Sequence, residues 1–265
     1  MKKIIVLLSV LLLLVGCSSN KAPEPDEKED LYQLAIEAWD AKEYEKAFEY
    51  LIQYEQEGGK DAYYDLGMMY YSGRGVDNDD AKALHYFELG AENNDGDAAE
   101  MAGWCYEQGF GTEANDEKAL EFYEKGMAID HAGCTMRVGW FYANGIVVEQ
   151  DVDKAAECYL KAAEAGNVWS QRTIGIYYVN GDGVEQDYEK AYQWFVKAAD
   201  SGDDWSNYYI AYMYNYGYYV EESAEKTKEY LEKAISSGDQ NIIEAIKEDI
   251  AEGYFVGEAI PDSLK

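Results

Sequence analysis

Two histidines, three interior cysteines, several short acidic runs and a wealth of tyrosine are the residues here with chemistry to offer. His85 lies in a helix-patterned stretch and His131 between two such stretches. Neither belongs to a ligand spacing such as H-E-x-x-H, and neither is expected to stand near a fixed nucleophile. No phosphate loop and no G-x-S-x-G elbow occurs. VDNDDAKA (76–83) and DGDAAE (95–100) have the acidity of calcium loops. They lack the full ligand ladder with its glycine and final glutamate, and helix capping suits them better. Cys105, Cys134 and Cys158 form an odd set, which allows at most one internal bridge; small buried apolar roles fit them. The sequence thus predicts no catalytic residue, no metal site, no cofactor and no enzyme.

The elements that hold these residues emerge from self-comparison. Steps of 36 from Gly67 reach Gly103, Gly139, Gly175 and Ala211; from Tyr70 they reach Tyr106, Tyr142, Tyr178 and Tyr214. Gly73 and Lys82 begin similar columns. Five gapless units follow: 61–96, 97–132, 133–168, 169–204 and 205–240. Each opens with apolar residues at three- and four-residue steps, a helix pattern. A G-x-G-V piece then breaks the helix, because glycine accepts positive φ. Asp79, Asn115, Asp151 and Asp187 stand where a second helix would be capped. The Gly67 column and the Ala83 column (Ala119, Ala155, Ala191) let the two helices approach closely, and the Tyr70 column fills space between hairpins. A lone hairpin leaves an apolar flank wet, and stacking covers it.

The pattern A-x-x-x-L-G-x-x-Y-x-x-G-x-G-V-x-x-D-x-x-K-A-x-x-[WY]-[FY]-x-K-A-A-x-x-G resembles the Sel-one-like repeat, a relative of the tetratricopeptide repeat. The resemblance covers 61–240 and is strongest in TIGIYYVNGDGVEQDYEKAYQWFVKAADSG of the fourth unit. It implies an all-α fold, a right-handed α-solenoid of stacked helix–turn–helix repeats. Val147 and Tyr219 replace the second turn glycine in the third and fifth units, so locally rebuilt turns are expected there. Residues 30–60, with Lys46 and Ala47 in register, resemble a plain tetratricopeptide hairpin serving as the first cap. Residues 241–265 read as a capping helix and tail, a first helix without its mate.

MKKIIVLLSVLLLLVGC begins with two lysines and continues as an apolar run too short to span a bilayer. It resembles a bacterial lipoprotein signal. The resemblance implies removal of 1–16 and lipid attachment at Cys17, with 17–29 as the lipidated cysteine and a flexible tether. The implied address is the bacterial cell envelope, extracytoplasmic and lipid-anchored.

The formal charge of −31 repels nucleic acid and serves solubility; where it selects a partner, that partner is basic. YYIAYMYNYGYYV (208–220) holds the first helix and turn of the fifth unit. In tetratricopeptide-like superhelices the first helices line the concave surface. Away from the packing columns, that side carries Trp104, Trp140, Trp169, Tyr177, Trp205, Tyr209, Tyr212 and Tyr216, with Phe141 beside them. Rigid rings with polar tips suit a surface that captures a protein or peptide segment, although rings also pack between hairpins. The expected function is a lipid-anchored extracytoplasmic adaptor, bound to the membrane through Cys17. The alternative is an envelope hydrolase or a protein that binds glycan or cell-wall fragments, with rings stacked on sugars.

Overall fold

The computed structural model describes residues 27–264, so Cys17 and the leader lie outside the described residues. Thirteen α-helices and no strand are found among them: α1 (Glu27–Asp40), α2 (Tyr44–Gln56), α3 (Tyr63–Ser72), α4 (Asp80–Glu92), α5 (Gly96–Gln108), α6 (Asp116–Ala128), α7 (Ala132–Asn144), α8 (Val152–Glu164), α9 (Val168–Asn180), α10 (Tyr188–Asp200), α11 (Asp204–Tyr216), α12 (Ala224–Ala234) and α13 (Gln240–Glu252). Each helix from α1 to α12 packs on its chain neighbours and α13 packs on α11, giving the all-α repeat solenoid expected. No described helix is long and apolar enough to cross a membrane. The first helix begins at Glu27, inside the stretch expected to be tether.

Each hairpin is built by the same three local devices. A first-helix glycine receives a ring from the second helix. A Cβ on Gly67 would fall 2.5 Å from the Phe87 ring, one on Gly103 2.6 Å from Tyr123, and one on Gly175 2.6 Å from Phe195. The fifth unit changes both partners together: Ala211 replaces the glycine, Leu231 replaces the ring, and both are fully buried in one cluster.

The second device is the cap. The side chains of Asp79, Asn115, Asp151, Asp187 and Ser223 accept from the backbone N–H of the lysine three residues on. In four units that lysine also lays its ammonium on the repeat tyrosine, 4.7–5.2 Å from ring centroid, as in Lys118 over Tyr106 and Lys190 over Tyr178. Asp95, His131, Asn167 and Asp203 cap the first helices of the later units.

The third device joins one unit to the next. The second turn glycine has φ of +73° at Gly75, +70° at Gly111 and +63° at Gly183. Its Cα lies so close to the previous unit that a Cβ would collide with a backbone carbonyl: that of Tyr44, Asp80 and Val152 respectively. In every case this is the first residue of the preceding second helix. Val147 and Tyr219 keep the left-handed φ, at 65° and 66°, so the expected local rebuilding of these turns does not occur. The strain is carried instead, and both side chains are exposed. Tyr219 reaches across to α10, where its hydroxyl donates to Glu189 at 3.0 Å.

The C-terminal end departs from a bare capping helix. α13 buries Ile242 and Ile246 on the fifth unit. The tail then folds back with two 3-10 turns, Gly257–Ala259 and Asp262–Leu264, and buries Phe255 and Ala259 against the fifth unit. The missing mate of α13 is thus replaced by irregular chain.

Candidate functional site

The first helices α3, α5, α7, α9 and α11 present their unshared sides on one flank of the array. There the rings form local clusters of unequal openness. Trp104 stacks on Phe110 at 4.7 Å, and both meet Tyr71 edge-on at 5.8 Å and 6.1 Å. Trp140 is half-buried against Phe141, which is itself fully buried and unavailable to a partner. Trp169 is 38% exposed and meets Tyr159 edge-on, while half-buried Tyr177 packs on the same ring. Of these four predicted residues Trp169 is exposed and Trp104, Trp140 and Tyr177 are half-buried.

The fifth-unit members are more engaged. Tyr209 stacks on Phe195 at 5.1 Å, and burial raises its hydroxyl pKa. Half-buried Trp205 lies edge-on to Tyr208. Tyr212 lies beneath the C-terminal cap, donating to Asp249 and packed on Phe255 at 4.8 Å. Tyr216 is 40% exposed and continues a ribbon of stacked rings from Tyr212 through Tyr218 to Tyr188, with successive centroids 5.8, 5.6 and 4.7 Å apart. Each tyrosine of 208–220 therefore has a partner within the chain. Tyr214, the repeat tyrosine, stacks on Tyr230 at 5.6 Å.

The sequence reading missed an apolar groove near the N-terminal end of the array. A groove of about 440 Å³ lies between α1 and α3, floored by Ala47 and Leu51 of α2. Tyr32, Ile36 and Trp39 of α1 form one wall; Tyr64, Met68 and Tyr71 of α3 form the other. Asp65 is the carboxylate on the groove, accepting from the Tyr32 hydroxyl at 2.8 Å; burial raises its pKa. Arg74 sits at the lip, its guanidinium 5.7 Å from the ring centroids of both Trp39 and Tyr44. Ile36 and Trp39, three residues apart, are exposed on α1, an apolar face on an end hairpin that stacking alone would leave polar. That face was the available signal.

His131 corrects another expectation. It does stand beside a thiol: its Nδ1 is 3.3 Å from Cys134 Sγ, and its Nε2 is 3.2 Å from Asp97. The trio has the outline of a nucleophile, base and orienting acid. Its local work is structural, since Nδ1 accepts the Cys134 backbone N–H and caps α7. Cys134 is fully buried, and burial raises its thiol pKa, which disfavours the reactive thiolate. Cys105 and Cys158 are likewise free thiols, in keeping with small packing roles. Among the described residues no cluster of histidine, cysteine and acid could hold a metal ion.

The Sel1 repeat family matches this chain at residues 60–95, 96–126, 133–167, 170–203 and 206–239, in step with the five units. A Sel1 repeat protein from Oxalobacter formigenes is similar in structure, with TM-score 0.78 and 24% identity over 89% of this chain and 94% of that one. So is c5321, a protective antigen of uropathogenic Escherichia coli strains with the SLR fold, with TM-score 0.77 and 24% identity over 88% of this chain and 50% of that one. Comparison with curated proteins gives no match. Sel1 repeats generally mediate contacts between proteins and are generally non-catalytic adaptors.

Proposed function

We propose, for a chain that belongs to the Sel1 repeat family, that it is a lipid-anchored adaptor outside the cytoplasm. Its first-helix flank captures another protein there. The observation that carries the reading is the run of open rings on that flank, from Trp39 through Tyr71 and Trp104 to Trp169, placed on rigid helices rather than loops. Aromatic side chains so held lose little entropy on binding and bury much area. The lipoprotein-like stretch ending at Cys17 supports the anchor, and the charge of −31 supports a basic partner.

The second reading, a glycan or wall-fragment binder, draws support from the ribbon Tyr188–Tyr218–Tyr216, whose outer rings lie open to stack on sugars. One experiment separates them: a pull-down of the full chain from detergent-solubilised membranes, beside a Trp104→Ser/Trp169→Ser double variant. The adaptor reading expects one stoichiometric protein partner, lost from the variant while helicity is kept. Recovery of glycan alone, or a partner held equally by the variant, refutes it.

A further inference from the structure

We propose that the groove between α1 and α3 is a binding pocket for a basic–apolar segment of a partner polypeptide, with a lysine or arginine of that segment seated among its rings beside Asp65. The proposal rests on the adaptor reading and adds a place and a chemistry to it.

Three observations converge on that occupant. The first is shape: the groove has the volume of a small-ligand pocket, and its walls are almost wholly apolar apart from a few convergent polar groups. Tyr32, Trp39 and Tyr64 are rings whose faces attract a cation, and Met68 adds an adaptable thioether contact.

The second is charge. The Asp65 carboxylate accepts from the Tyr32 hydroxyl, and among the described residues no lysine or arginine pairs with it. Burial, and then the carboxylates of Asp97, Asp65, Asp95 and Glu100, raise the Tyr64 hydroxyl pKa. Asp65 and Asp61 act likewise on Tyr32, behind burial. Negative groups from two successive units thus act on the two phenols that line the groove beside Asp65. A cation entering there neutralises a half-buried carboxylate that the fold itself leaves without a positive partner.

The third is the fold's own demonstration of the chemistry. Arg74 already lies over Trp39 and Tyr44 at the lip, with no carboxylate within ion-pair distance among the described residues. The other two arginines, Arg137 and Arg172, both pair with acids. The rings at this mouth therefore hold a guanidinium without help from a carboxylate. Arg74 competes with an incoming cation for the face of Trp39, so its removal frees that face.

The test uses the purified full chain and three fluorescein-labelled dodecapeptides, alternating leucine with lysine, with glutamine or with glutamate. Binding is read by anisotropy at about 150 mM salt, where distant charges are screened. The leucine–lysine peptide is expected to bind about tenfold more tightly than the leucine–glutamine peptide. Asp65→Asn, which still accepts from Tyr32, and Trp39→Leu are each expected to weaken it about fivefold, with helicity and thermal midpoint retained. Glu149→Gln, an equal charge change on an exposed turn, is expected to change it less than about twofold. Arg74→Ala is expected to leave binding unchanged or tighten it. Equal effects of Asp65→Asn and Glu149→Gln would show general attraction only and overturn the pocket. Preference for the leucine–glutamate peptide, lost in Arg74→Ala, would show a carboxylate site at Arg74 and overturn it as well. Purified components read the pocket alone, so its failure leaves the membrane pull-down to decide the adaptor reading independently.

Discussion

The Tyr212 hydroxyl donates to Asp249 at 2.7 Å, and the same carboxylate oxygen accepts from Tyr208 at 2.5 Å. One acid on α13 thereby anchors two phenols of α11, 37 and 41 residues back in the chain. The tail completes the joint by placing Phe255 against both rings, at 6.4 Å from Tyr208 and 4.8 Å from Tyr212. Asp249→Ala removes a charged acceptor from two partly buried hydroxyls. It is expected to lower unfolding free energy by about 2–3 kcal/mol, measured by urea titration, and to speed proteolysis after residue 240. An unchanged midpoint would refute the joint.

The ring-on-glycine contact makes a sharper forecast. Gly103→Ala sets a methyl 2.6 Å from the Tyr123 ring, and Tyr123 is fully buried and cannot swing away. The helices must part, at an expected cost of about 1–3 kcal/mol, despite alanine's better helix propensity. Restoring room with Tyr123→Leu in the same chain imitates the Ala211 and Leu231 pair and should recover part of the loss. No recovery in the double variant would argue against the steric account.

Val147 offers the opposite sign. A β-branched residue held at φ of 65° is strained, and its side chain is exposed with little packing to lose. Val147→Gly is expected to stabilise by about 1 kcal/mol and raise Tm by a few degrees. A lower Tm would mean that the side chain makes a contact worth more than the strain.

Alkaline pH should weaken the fold early. Burial first, and then nearby acids, raise the Cys105 thiol to about 12; burial first, and then Glu55, raise Tyr86 to about 12. For such groups the unfolded chain releases the proton before the folded one does. Stability is therefore full below the ordinary thiol and phenol values and falls as pH rises from about 9 towards 12. Tyr159 is fully buried with its pKa raised mainly by burial, so Tyr159→Phe should make this limb shallower while changing neutral-pH stability little. Equal slopes in pH-dependent thermal melts would count against that assignment.

The repeat was readable because its causes are local. A glycine that must admit a ring, a turn at positive φ and a cap three residues before its donor all recur at one spacing, so each column confirms the next. His131 follows the same spacing: it occupies the position held by Asp95, Asn167 and Asp203. The proximity of Cys134 Sγ, three residues on, follows from that cap geometry. The groove could not be read in this way. It exists because α1 rests on α2 and leaves a gap to α3, a fact about the seating of an end hairpin that no column repeats. Tyr212 was misjudged for a similar reason. Its position on α11 matches Trp104 and Trp140, but only this unit has a folded tail to cover it.

At three joints a glycine Cα meets the carbonyl of the residue that opens the preceding second helix, at Gly75 with Tyr44, Gly111 with Asp80 and Gly183 with Val152. Apart from the missing Cβ of the glycine, that handshake is made by backbone atoms alone. Tandem copying of one such cassette would therefore deliver both halves of a working joint at once, and the array could lengthen in a single genetic step without any compensating change. At the matching turn positions of the third and fifth units, Val147 and Tyr219 hold the same left-handed φ with a side chain in place.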